Sequence, residues 1–190
     1  MPTEYFFPKA FYYEDGIVTE EENNQLIEAA NQLVNEFPES TRSNLYTTYG
    51  SLPSVLERKG FSTLKNALVS HVNTFLHVLE TGHGNKYSIT DSWVSISSPG
   101  NFERMHTHDG AYISGVYYIN TLPNCGNLYF EELSDNLWAS ARTRQEHYNT
   151  VSYAPAERRV ILFNSKVPHY VGQNQSSGKR IALSFNIAIV

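Results

Sequence analysis

Apolar residues in the first half of the chain return at helical intervals. Leu26, Ala30, Leu33 and Phe37, flanked by Ile27 and Val34, put one apolar stripe along a helix. Thr19 to Glu22 reads T-x-x-E, a capping box with three acidic residues in the first turn, and Pro38 ends the run. A second stripe, Leu64, Leu68, Val72, Phe75 and Leu79, predicts a helix that starts at Ser62 and stops at Gly82. His71 and His77 lie in this helix on different faces and read as packing or surface residues. From Tyr87 onward the pattern shortens to β-rich runs: 92–97, 111–120, 127–133, 150–155, 159–164, 169–172 and 180–190. Turn clusters at Pro99-Gly100-Asn101, Pro123 to Gly126 and Gln175 to Gly178 separate them. Two helices followed by many short strands predict a mainly β, α+β domain: a jelly-roll or similar sandwich braced by helices on one side. We take 1–190 as a single domain, with 1–85 as N-terminal supporting helices and 86–190 as the β core.

Composition narrows the class. The 190 residues are 41% hydrophobic and 17% charged, as suits a soluble globular protein able to bury a sizeable core. A net charge of −5 argues against general nucleic-acid binding. No apolar run approaches the ~18 residues of a membrane span. The opening MPTEYFFPKAFYYEDG lacks a basic n-region and a clean apolar h-region, so no signal peptide and a cytoplasmic location are expected. Cys125 is the only cysteine, which excludes an internal disulfide and a cysteine-based zinc knuckle, and no adjacent base activates it. The segment 134–149 is polar and lacks a clear period, so it reads as a long loop.

The chemistry concentrates in MHTHD, residues 105–109. On a strand, positions i and i+2 share a face, so His106 and His108 can aim two imidazoles at one point. His169, after Pro168 and at the start of a strand, is the best candidate for a third ligand. Zinc is the first guess for three histidines, and iron, copper and nickel also accept imidazole. If the strand instead bulges at Thr107, Asp109 replaces His108 in the site. Side-chain alternation favours His108. Incidental histidines on a non-catalytic binding module are the bland alternative.

The succession H-T-H, S-G-V-Y-Y-I-N, Gly126-x-Leu128, A-P-x-x-R-x-V-I-L-F, His169 and R-I-A-L-S-F-N resembles the iron(II)/2-oxoglutarate-dependent dioxygenases. Prolyl-4-hydroxylase-like enzymes are the nearest in appearance, and small bacterial and phage members with H-x-H are nearer still. The resemblance covers roughly 92–190. It implies a double-stranded β-helix core and an oxidation, such as hydroxylation, driven by Fe(II), O2 and 2-oxoglutarate, which is converted to succinate. It further implies metal ligation by His106, His108 and His169, and a co-substrate carboxylate held by Arg180, Ser184 and Tyr118, with Tyr117 turned to the core. The family's usual motif is H-x-D or H-x-E, and here His108 stands at the carboxylate's position. Three neutral imidazoles leave Fe(II) at +2, which a 2-oxoglutarate dianion neutralises. A cupin-like three-histidine protein, or a dioxygenase that does not use 2-oxoglutarate, is the alternative. The primary substrate is unreadable. The prolyl-hydroxylase likeness hints at a peptide or protein, with contacts expected from Trp138, Arg142, Arg144 and His147, and with Trp93 and Asn186 as further candidates to face the pocket.

Overall fold

The computed structural model describes residues 9–42, 45–80, 86–133 and 148–189. The expected contact residues Trp138, Arg142, Arg144 and His147 lie outside them. In chain order the elements are β1 (Phe11–Glu14), α1 (Glu20–Glu36), β2 (Thr41–Arg42), β3 (Leu45–Thr47), α2 (Ser62–Val78), β4 (Tyr87–Ser97), β5 (Glu103–His106) and β6 (Ile113–Asn120). They continue with β7 (Leu128–Glu131), β8 (Thr150–Tyr153), β9 (Val160–Asn164), β10 (His169–Val171) and β11 (Arg180–Ile189). Two single-turn 3-10 helices, Val55–Glu57 and Lys59–Phe61, lead into α2.

The capping box forms as the sequence requires. The Thr19 hydroxyl accepts from the Glu22 N–H at 3.2 Å, and Glu22 Oε2 accepts from the Thr19 N–H at 2.8 Å. Leu26, Ala30 and Leu33 are buried, as their spacing predicts. Helix α2 ends at Val78, ahead of Gly82, and Glu80 takes a left-handed φ of 49°. The half expected to supply helices also supplies strands β1, β2 and β3. Their runs of two to four residues are too short to show a period.

The strands form two antiparallel sheets. The larger has the order β1-β9-β6-β11-β4-β3-β2 and the smaller the order β5-β10-β7-β8. Facing one another, they make the double-stranded β-helix. Alternation along β11 explains how one strand serves two cores. Ile181, Leu183 and Phe185 face the helices, in a core with Leu26, Leu64 and Val72. Ala182 faces the small sheet, in a second core with Tyr118, Leu128, Phe130 and Phe163. Strand β6 divides in the same way. Tyr117 turns to the helices and donates its hydroxyl to Asn23 Oδ1 of α1 at 2.8 Å, while Tyr118 turns to the second core. Gly115 on β6 is obligatory, because a Cβ there would sit 2.3 Å from the Phe185 ring. His71 packs, its Nδ1 hydrogen-bonded to Tyr12 of β1 at 2.7 Å, and His77 is exposed.

Candidate metal centre

A cleft with about 590 Å³ of empty space, its open mouth included, runs between the two sheets. His106, His108, His169, Tyr118, Arg180 and Ser184 all line it. His106 ends β5, His169 begins β10, and the two are direct cross-strand partners. His108 lies beyond β5, whose last residue is His106. The regular strand expected through 109 is therefore absent. His108 is placed instead by its N–H, which donates to the Ser165 carbonyl at 3.0 Å. The donor atoms of the three imidazoles all lie within 4.8 Å of one another. Asp109 points the other way, exposed and paired with Lys166 at 2.5 Å, which holds its carboxyl below the usual range.

Two backbone carbonyls set the tautomers. His106 Nδ1 lies 2.7 Å from the Arg104 carbonyl, and His169 Nδ1 lies 2.9 Å from the Val167 carbonyl. A carbonyl only accepts, so each Nδ1 carries the proton and each Nε2 keeps its lone pair. This arrangement orients a metal-binding imidazole. Burial, reinforced by His106, drives His108 down to about 4, and burial with the same neighbour drives His169 to about 3. Both rings are neutral at pH 7 and free to ligate. Beneath the His108 arm runs a directed chain of polar groups. Ser165 Oγ shares a 2.9 Å hydrogen bond with Ser114 Oγ, which donates to Asn186 Oδ1 at 2.7 Å. Asn186 Nδ2 in turn donates to Asp91 at 2.8 Å.

At the cleft's inner end Arg180 is 6% exposed. Its Nη1 donates to the carbonyls of Cys125 and Gly126, each at 3.0 Å, while its Nε is buried without a partner. The Oγ of Ser97, directly across the ladder from Arg180, is likewise buried and unpartnered. Among the described residues no carboxylate lies within ion-pair range of this guanidinium. A buried cation with a free N–H fits an anionic ligand, because leaving it unpaired is costly. Tyr118, fully buried, has its hydroxyl pushed up to about 12 by desolvation, against the opposing effect of Arg180. It stays protonated and can donate. Gly126 makes the Arg180 contact possible. At φ +94° its missing Cβ would fall 2.2 Å from the Gly172 carbonyl oxygen. The donor set thus suits a metal ion beside a dicarboxylate.

The sequence profile described as 2OG-Fe(II) oxygenase matches residues 91–186, half of the chain. The chain belongs to this oxygenase family. No curated protein matches it in sequence. Solved structures resemble the oxygenase in fold. HygX from Streptomyces hygroscopicus, crystallised with nickel and 2-oxoglutarate bound, superposes with a TM-score of 0.68 at 12% identity, over 96% of this chain and 83% of that one. A Pseudomonas putida prolyl-4-hydroxylase gives 0.65 at 15% identity, over 96% and 94%. The Trichoplax adhaerens prolyl hydroxylase, in complex with a hypoxia-inducible-factor peptide, gives 0.63 at 17% identity, over 93% and 82%. The oxygenase is thus a non-haem iron enzyme that uses 2-oxoglutarate as co-substrate.

Two residues of the site escaped the sequence reading. Ser97, across the ladder from Arg180, carries no motif of its own. Glu103, three residues before His106, is expected on the opposite face by simple alternation. Trp93, 8% exposed, does line the cleft, 5.7 Å from the His108 ring, whereas Asn186 is engaged in the polar chain. No helix among the described residues is long and apolar enough to cross a membrane.

Proposed function

We propose that this oxygenase hydroxylates, or otherwise oxidises at carbon, a peptide or protein substrate, with His106, His108 and His169 holding the iron and Arg180, Ser184 and Tyr118 holding the distal carboxylate of 2-oxoglutarate. The observation that carries the assignment is the pairing of two features in one cleft. Three imidazoles converge there, two with Nε2 left free by a backbone carbonyl, and a buried guanidinium stands with an unpartnered Nε. Bound Fe(II) supplies coordination of the keto acid and the activation of O2.

The chain's own groups do the rest. Arg180 and Ser184 lie four apart on β11 and so face one ligand, and Tyr118 adds a hydroxyl donor from the neighbouring strand. The apolar wall formed by Leu128, Phe163 and Ala182 keeps water from the inner end. Peptidyl substrates are supported by the prolyl hydroxylases among the structural neighbours. The three-histidine alternative that does not use 2-oxoglutarate leaves the buried Arg180 cation without a role.

Anaerobic titration with Fe(II) and then 2-oxoglutarate tests this reading. A visible metal-to-ligand band that needs both components is expected, and its absence would end the assignment. Succinate release stimulated by members of a peptide panel then tests the substrate class.

A further inference from the structure

Strand β5 does not pair evenly with β10. His106 stands opposite His169 and Glu103 opposite Val171, so three steps on β5 match two on β10. The extra residue is a β-bulge. Arg104 and Met105 both turn outward and are exposed, while Glu103 and His106 on either side of them are half-buried and line the cleft. A regular strand would send Glu103 to the outer surface. The bulge therefore re-aims one carboxylate into the cleft beside the histidines.

That carboxylate makes no hydrogen bond or ion pair with any described residue. Arg180, the cation that also lines the cleft, is held by the Cys125 and Gly126 carbonyls. Trp93 and Ser95 of β4 line the same cleft from the large sheet. A half-buried, unpartnered carboxylate with an indole in the same cleft is a setting for a cation, through a charge-assisted hydrogen bond and the ring face.

We infer that Glu103 is a specificity-determining residue that selects substrates carrying a guanidinium or ammonium group, such as a peptide with Arg or Lys next to the oxidised position. The inference rests on the peptide-oxygenase reading above and deepens it.

The test uses N-acetyl-argininamide and its neutral isostere N-acetyl-citrullinamide, with binding followed by saturation-transfer NMR on the full chain. The Fe(II)–2-oxoglutarate band is recorded on samples of the same preparation. The wild type is expected to bind the arginine amide roughly fivefold more tightly than the citrulline amide, the scale of one partly screened charge pair. Glu103→Gln, nearly isosteric, should abolish that preference while keeping the visible band. Glu103→Lys should prefer N-acetyl-glutamate amide to the arginine amide. Equal binding of the arginine and citrulline amides by the wild type, or a preference that survives in Glu103→Gln, overturns the Glu103 assignment. Loss of the visible band in the wild type overturns the oxygenase reading instead, and the two failures are read from separate signals.

Discussion

His108 and Asp109 are adjacent, and the fold sends them in opposite directions. Lys166 draws Asp109 into solvent, while the Ser165 carbonyl draws the His108 backbone inward. The two side chains therefore have separable variants. Asp109→Ala is expected to bind Fe(II) as the wild type does, and His108→Ala to lose most of it with the fold retained, as measured by metal content after desalting. Full iron in His108→Ala would remove that residue from the site. Arg180→Ala takes away a charge-assisted contact of roughly 2–4 kcal/mol, so the apparent constant for 2-oxoglutarate should rise on the order of 10²-fold with iron still bound. Normal turnover in that variant would move the co-substrate elsewhere.

At the level of elements, one turn supports the pocket around Arg180. The chain segment ending at Gly126 presents two carbonyls to Arg180 and lies against the backbone of Gly172, just after β10. Gly126→Ala forces a Cβ onto a carbonyl oxygen at a positive φ. It should destabilise the protein by roughly 1–3 kcal/mol. It should also weaken 2-oxoglutarate binding more than iron binding, which a visible titration set beside a thermal melt would show. Equal losses of both ligands would mean general unfolding and not a displaced Arg180. The elements differ in how far the sequence revealed them. Helix α1 was legible because its cap and its stripe agree. Seven later strands were legible because turn residues bracket them. Strands β1 and β3 were not, since Phe11–Glu14 and Leu45–Thr47 gain their form only by pairing with distant strands. Strand β5 was anticipated but misplaced: the run expected through 109 ends at His106, and a bulge breaks the alternation on which a reading of E-R-M-H depends. His108 was anticipated as a ligand, but by way of a strand face that the chain does not use.

The whole molecule joins two cores through one sheet, and the cleft shares the smaller core. Its histidines tie stability to pH. His108 and His169 have folded values of about 4 and about 3, below the ordinary 6.5 of an exposed imidazole. The unfolded chain therefore takes up protons that the folded chain refuses. Their contribution is complete above pH 6.5 and is lost as pH falls towards 3. Metal-free protein should melt at progressively lower temperature across that window, and replacing both histidines with asparagine should flatten the fall. A pH-independent melting temperature between 6.5 and 4 would contradict it.

Among the described residues strand β11 comes after every other strand in the order of the chain, yet it lies between β6 and β4 in the middle of the large sheet. Its ten residues pair with Tyr87–Ser97 on one side and with Ile113–Asn120 on the other, and they also carry Arg180 and Ser184. A ribosome making this protein therefore emits β4 and β6 long before the strand that joins them. Until residue 189 has cleared the exit tunnel, both wait with an open edge, exposed to mispairing. The nascent oxygenase can gain its central sheet and its buried cleft arginine only in the same late step, so a truncated product that stops before β11 has neither.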